Sequence, residues 1–176
     1  MTIEAGRKAI EAALDAYRSR LDTIPDDQFD VTPNGGGWSY AEVYSHIMQA
    51  TIGSTLAMDK CSGTTLIPTS KGRSLLGFLV LTFNRFPPIR VKAPQTVTDK
   101  IPAKKISKED ARNLIIKCRR RVNDAAPFIR DASINRRVKH PRFGMLNAAQ
   151  WFRFILIHLN HHLKQLNRIE KKFRAG

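Results

Sequence analysis

The chain has 176 residues, 42% of them hydrophobic and 26% charged, with a formal net charge of +15. That length suits one domain with a real core and is short for two, and the mix of apolar and charged residues excludes a disordered chain. The longest apolar run, LLGFLVLTF (75–83), is about half of what spans a bilayer, so no membrane span is expected.

The N-terminal stretch MTIEAGRKAIEAALDAY reads as an amphipathic helix with acids in it, not a signal peptide. Cys61 and Cys118 alone do not make a disulfide framework, and a cytoplasmic protein is expected. The first helical segment spans about 2–24, with Ile3, Ile10, Leu14, Tyr17, Leu21 and Ile24 on one stripe, and stops before Pro25. The second, about 39–60, follows the loop VTPNGGGW. Ser39 is its natural N-cap with Glu42 completing a capping box, and Trp38 and Val43 occupy the two positions of a hydrophobic staple.

A third segment, about 107–131, starts at Ser107 with Asp110 in its first turn, and Pro127 threatens to bend or shorten its end. The fourth, about 147–172, opens with Asn147 and Gln150 as a second box and Leu146 and Trp151 as a second staple. Between the second and third lie about 45 residues: a short extra helix over about 72–86, then an extended, proline-rich stretch, PPIRVKAPQTVTDKIPAKK. A connection that long does not suit a tight antiparallel hairpin. It predicts a single-domain, all-α four-helix bundle over 1–176 in which the second and third helices run the same way and need a crossover.

The charge is uneven. Residues 1–30 sum to −3 and the remainder to +18, with basic clusters at Arg119 to Arg121, at Arg136, Arg137 and Lys139, and at Lys171, Lys172 and Arg174. Such a field attracts nucleic acid, anionic lipid or small anions, or is simply a solvated surface. No nucleic-acid module is recognisable, and the aromatics sit in apolar stripes rather than among Lys and Arg, so no specific nucleic-acid partner is expected.

Three of the five histidines fall in HLNHH (158–162). On the fourth helix the inward stripe runs Ala148, Trp151, Ile155, His158, His162, Leu166, Ile169, Phe173, and on the second Val43, His46, Ala50, Gly53, Ala57. Three imidazoles in a bundle core are costly unless each has a partner. Ordinary hydrogen bonds would serve; a divalent metal would satisfy all three at once. His161 borders the same face. Gln49 and Gln165 stand one turn beyond His46 and His162, placed to orient a ligand or substrate, and Tyr44, Trp151 and Asn160 are further candidates for such contacts. His140 matches no ligand position and reads as a loop residue. Cys61 lies about 22 Å beyond His46 along a helix, and Cys118 reads as a small buried hydrophobe.

GGWSYAEVYSHI (36–47) and FGMLNAAQWFRFILIHLNHHLKQL (143–166) resemble the DinB-like superfamily of four-helix bundles, sometimes described as YfiT-like metal-dependent hydrolases and distinct from the DNA polymerase that shares the name. That pattern has a Trp-Ser entry to the second helix, a histidine about two turns later, and a His-x-x-x-His pair followed by Gln and Leu on the fourth. The resemblance implies an up-down-down-up topology and a divalent metal, often nickel or zinc, held by His46, His158 and His162. It also implies a choice of activities, since characterised relatives include thiol S-transferases using bacillithiol and a mycothiol-dependent isomerase.

Three neutral histidines leave coordination positions open, as in a catalytic rather than a structural site. Carboxylates to serve as a general base are scarce. Glu42 belongs to its capping box, Asp59 lies about 20 Å beyond His46, the fourth helix offers only Glu170, and Asp99 would have to come from the crossover. The expectation is therefore a metal-dependent transferase acting through a low-molecular-weight thiol cosubstrate, with small anionic or thiol substrates drawn by the basic surface. The alternatives are a metal-dependent hydrolase and a non-catalytic bundle that self-associates, as a homodimer for instance, through the 75–83 run.

Overall fold

Thr2 starts the first helix by accepting the backbone N–H of Ala5, and the chain turns extended at Ile24, before Pro25. This helix is α1 (Ile3–Thr23), and the one-turn α2 (Asp26–Phe29) follows it. The computed structural model describes residues 2–87 and 104–174. The proline-rich stretch expected to be extended falls mostly outside these residues, and Asp99 lies wholly outside them.

The second bundle helix, α3 (Tyr40–Ser62), carries both halves of the capping box. Ser39 Oγ accepts from Glu42 N, and Glu42 Oε2 accepts from Ser39 N at 2.8 Å. A shorter helix, α4 (Leu75–Phe83), is capped by Ser74 and ended by Asn84 in the left-handed region at φ 53°. It is tighter than the 72–86 expected. The third bundle helix, α5 (Lys108–Ala125), opens on a Ser107–Asp110 box. It ends earlier than position 131, because Pro127 has no N–H to continue the ladder and residues Ala126–Ile129 tighten into a 3₁₀ turn.

A hairpin that the sequence pattern did not announce follows, with β1 (Val138–His140) pairing antiparallel to β2 (Gly144–Leu146). His140 thus ends a strand rather than sitting in a loop. The last helix, α6 (Ala148–Arg174), is entered through reciprocal bonds between Asn147 and Gln150.

The contacts fix the topology. Arg7 meets Asn123, and Arg112 meets Asp22 at 3.1 Å, so α1 and α5 are antiparallel. Cys118 meets Met48 and Arg121 meets Thr55, so α3 and α5 run the same way. Tyr17 meets Leu159 and Arg20 meets Glu170, making α1 and α6 parallel. Tyr40 stacks on Phe173 while Cys61 reaches Leu146, making α3 and α6 antiparallel. The bundle is all-α, up-down-down-up, with the crossover between α3 and α5, and around its axis the order is α1, α6, α3, α5. Helices α1 and α3 face one another across the core, where Tyr44 donates to Tyr17 O at 2.8 Å and Tyr17 to Leu159 O at 2.8 Å. Leu14 and Leu21, fully buried on α1, stabilise the core by about 2 kcal/mol each.

Helix α4 docks by its Gly77. A Cβ there would lie 2.5 Å from the Phe143 carbonyl oxygen, so α4 approaches the hairpin turn backbone to backbone. Its other side is bare: Leu75, Phe78, Leu79 and Phe83 are all exposed. Among the described residues no helix is long and apolar enough to cross a membrane.

Candidate metal centre

The Ser39 cap sets the register that turns His46 inward from α3, and the Asn147 cap does the same for His158 and His162 on α6. Because α3 and α6 are antiparallel neighbours, the three rings meet: one ligand atom from each lies within 4.8 Å of the others. The ring centroids are 5.3 Å apart for His46 and His158, 5.0 Å for His46 and His162, and 4.6 Å for His158 and His162. His162 is buried and His158 half-buried.

His162 Nδ1 and Gln165 Oε1 are 2.7 Å apart. The amide oxygen can only accept, so Nδ1 carries the proton and the lone pair of His162 is on Nε2. That nitrogen stands 3.0 Å from His158 Nε2. The spacing suits one N–H···N bond, and it equally suits two ligands near 2.1 Å from a shared ion at about a right angle. Burial first, and then the charge of neighbouring histidines, holds His158 and His162 well below the ordinary imidazole range. Neutral imidazole is the form that ligates. By donor type and spacing the three residues fit a divalent metal.

Aromatic rings wall the cluster. Trp38 lies 5.1 Å from His46 and parallel to His162 at 6.3 Å. Phe154 stacks on His158 at 4.9 Å, and Phe86 packs against His158 and His161 at 5.9 and 4.5 Å. His161 stands edge-on to His162 at 5.1 Å, at the border of the site. Sequence reasoning did not single out Trp38 or Phe86 as site residues. The staple spacing was the available signal for Trp38, since it placed that ring over the turn leading to His46. Phe86, in the connection after α4, left no comparable signal.

The other candidates lie elsewhere. Gln49 turns back to donate to Ser45 Oγ at 2.7 Å. Tyr44 is a core residue, its hydroxyl bonded to Tyr17 O and its ring edge-on to Tyr17. Asn160 is exposed. Trp151 is buried two turns before His158, and its Nε1 has no hydrogen-bond partner among the described residues. Cys118 is buried, with its thiol pushed up to about 12. Buried Cys61 sits at the far end of α3, with Sγ 3.6 Å from Leu146 O.

Six residues of the basic clusters are engaged in local contacts. Arg119 pairs with Asp15, Arg121 with Asp59, and Arg120 with Asp124 at 3.8 Å. Arg137 donates to the Ile134, Ser70 and Lys71 carbonyls, Lys172 to Gly36 O, and Arg174 to Glu170. The charges acting on the cluster differ. Arg168 and Lys164 bear on His161, and Arg168 on His162, with no carboxylate among the influences. Glu42 stays in its cap, Asp59 faces Arg121, and Glu170 is held between Arg20 and Arg174.

Fold and site together define a four-helix bundle of crossed connectivity with an inward cluster of three histidines on two antiparallel helices. The chain belongs to the DinB superfamily, whose model matches residues 9–166. Two solved structures share the fold. TT2238, a four-helix bundle protein, superposes with a TM-score of 0.61 at 18% identity, covering 95% of this chain and 99% of its own. YfiT from Bacillus subtilis, described as a probable metal-dependent hydrolase with an unusual four-helix bundle topology, superposes with a TM-score of 0.64 at 14% identity, covering 96% of this chain and 86% of its own. No curated protein matches the sequence.

Proposed function

We propose that the protein is a metal-dependent enzyme that binds one divalent ion, zinc or nickel, through His46, His158 and His162, and transfers a low-molecular-weight thiol to an electrophile. The observation that carries the metal is the convergence of one ring nitrogen from each of the three histidines within 4.8 Å. A bound divalent ion supplies acidity, ionising a thiol or a water at neutral pH. The protein's own residues do the rest. Gln165 fixes the His162 tautomer so that Nε2 faces inward. Trp38, Phe154 and Phe86 keep bulk water from the rings, and Lys164 and Arg168 hold a positive potential beside them. That potential favours an anionic cosubstrate and its thiolate over the neutral thiol.

Thiol transfer is preferred to hydrolysis because, among the described residues, no carboxylate stands by the histidines to take a proton from water. Hydrolysis, the activity named for YfiT, is the second reading. The test begins with elemental analysis of protein purified without an affinity tag or chelator. The metal-loaded protein is then offered several thiols with a chlorinated nitrobenzene or a bimane. Thiol- and metal-dependent turnover is expected. Metal-dependent ester or amide cleavage with no thiol turnover would reassign the protein as a hydrolase, and unchanged zinc and nickel affinity in His158→Ala would refute the centre itself.

A further inference from the structure

Helix α4 carries no charged residue and is apolar on both sides. Gly77, Val80 and Leu81 are buried against the rest of the protein. Leu75, Phe78, Leu79 and Phe83 recur at helical spacing and form one outer stripe. Leu75 is 76% exposed and Phe83 61%. A helix apolar all round belongs in a core or against lipid. Only the inner face of α4 is covered by the described residues.

The helix is held firmly in place. Ser74 N donates to Phe143 O at 2.8 Å, Ser74 Oγ to Arg142 O at 2.9 Å, and Met145 N to Gly72 O at 2.9 Å. These bonds tie the start of α4 to the hairpin, and the outer stripe is presented by a fixed surface.

Cations border the stripe. Lys71, Arg73 and Arg85 are exposed at its two ends, with the Arg73 guanidinium 5.1 Å from the centre of the Phe78 ring. Arg73 and Arg153 also wall a cavity of about 250 Å³ beside Leu81, whose lining includes Ile3, Ile129 and Phe152 but no carboxylate. Arg153 donates to Asn84 Oδ1 at 2.6 Å, and among the described residues none of these four cations pairs with an acid. Glu4, next in sequence to the α1 wall of the cavity, is taken up by Arg7 at 2.9 Å. Throughout 60–87 and 132–169, the stretches that build α4, the hairpin and most of α6, every charged side chain is Lys or Arg.

We propose that this face docks on an anionic phospholipid bilayer. The stripe from Leu75 to Phe83 enters the boundary between head groups and acyl chains, and a lipid phosphate sits at the cavity between Arg73 and Arg153. The stripe requires hydrocarbon and its rim requires negative charge; an anionic bilayer presents both at one surface. A second copy of the chain would satisfy the stripe, but it would set one uncompensated basic rim against another in molecules of net charge +15. A nucleic acid would satisfy the rim but not the leucines, which neither stack on bases nor hydrogen-bond to them. The docking is peripheral, since no described helix is long and apolar enough to cross a membrane. It is independent of the metal and of the proposed reaction.

The test is co-sedimentation of the full chain with vesicles at physiological salt, one set of phosphatidylcholine alone and one of equal parts phosphatidylcholine and phosphatidylglycerol. Binding to the second set and not the first is expected. Leu75→Ser combined with Phe83→Ser should lower it at least about tenfold, and Arg73→Gln about fivefold. All three positions are exposed, so unfolding midpoints should stay close to the parent's. Arg120→Gln removes the same charge on α5, diagonally across the bundle from the α6 on which α4 packs, and should stay within about twofold. No binding to the anionic vesicles, equal binding to both sets, or undiminished binding of the serine variant overturns the proposal. Equal losses in Arg73→Gln and Arg120→Gln would leave net charge alone at work and overturn it too. So would a dimer in sedimentation velocity without vesicles that the serine variant abolishes, which assigns the face to a second copy.

Discussion

Gln165→Leu isolates the contact that orients a proposed ligand. The substitution keeps the side chain's bulk but removes the acceptor 2.7 Å from His162 Nδ1, in a ring only 6% exposed. Leaving a buried donor without an acceptor costs about 1–3 kcal/mol. Removing the outer hydrogen bond of a metal-binding histidine typically lowers metal affinity about 10–100-fold. Those two ranges coincide, since tenfold is about 1.4 kcal/mol. Gln49→Leu is the matched control: it also stands one turn beyond a site histidine, yet its amide bonds Ser45, so zinc affinity should stay within about twofold. Both are read by competition against a chromophoric chelator at neutral pH. Zinc affinity in Gln165→Leu within twofold of the parent, or an equal loss in Gln49→Leu, would refute the reasoning.

Three further outcomes are expected. His140 falls from 6.5 to about 4 in the native state, so below pH 6.5 the unfolded chain binds more protons. Stability of the metal-free protein is then full above about pH 6.5 and declines toward pH 4, by at most about 3 kcal/mol from this group; a urea midpoint unchanged between pH 7 and 4.5 contradicts this. Gly77→Ala should destabilise, because a Cβ 2.5 Å from Phe143 O costs about 1–3 kcal/mol in overpacking against a helix-propensity gain of about 1 kcal/mol; thermal unfolding decides the sign. Duplex DNA should bind only at low salt and be lost steeply as salt rises, as for unspecific phosphate contacts; a tight complex with one sequence or RNA structure near 200 mM salt would show a dedicated nucleic-acid surface.

Where local chemistry determines structure, the sequence was readable. The boxes at Ser39–Glu42 and Asn147–Gln150 depend on side chains three residues apart, and both stand as their spacing implied. The parallel course of α3 and α5 was legible because a connection of that length cannot be a tight hairpin. Stripe periodicity turned His46, His158 and His162 toward one another for the same local reason. The remainder depends on tertiary packing. The strands at 138–146 are three residues each, too short for an alternation to stand out in the sequence, so nothing in RRVKHPRFG announced them. Tyr44 and Gln49 flank His46 in sequence, but the helical pitch sends one to the Tyr17 core and the other back to Ser45. Phe86 joins the site only because α4 docks Gly77 on Phe143, a proximity no local pattern encodes.

The order of the helices around the axis has a consequence for how the protein is made. No two consecutive bundle helices form an antiparallel hairpin: α1 packs on α5 and α6, and α3 packs on α6 and on α5, which runs parallel to it. No helical hairpin can therefore shelter an apolar face while the chain is still emerging from a ribosome. The bonds that close the core join Tyr17 to Leu159 and Arg20 to Glu170, pairs more than a hundred residues apart, a remote topology for a helical protein and one that slows folding. Two of the three clustered histidines lie on the final helix, so the centre cannot assemble until that helix is synthesised. A chain released before residue 147 would leave the inner faces of α1 and α3 without the partner that separates them, a species prone to aggregate.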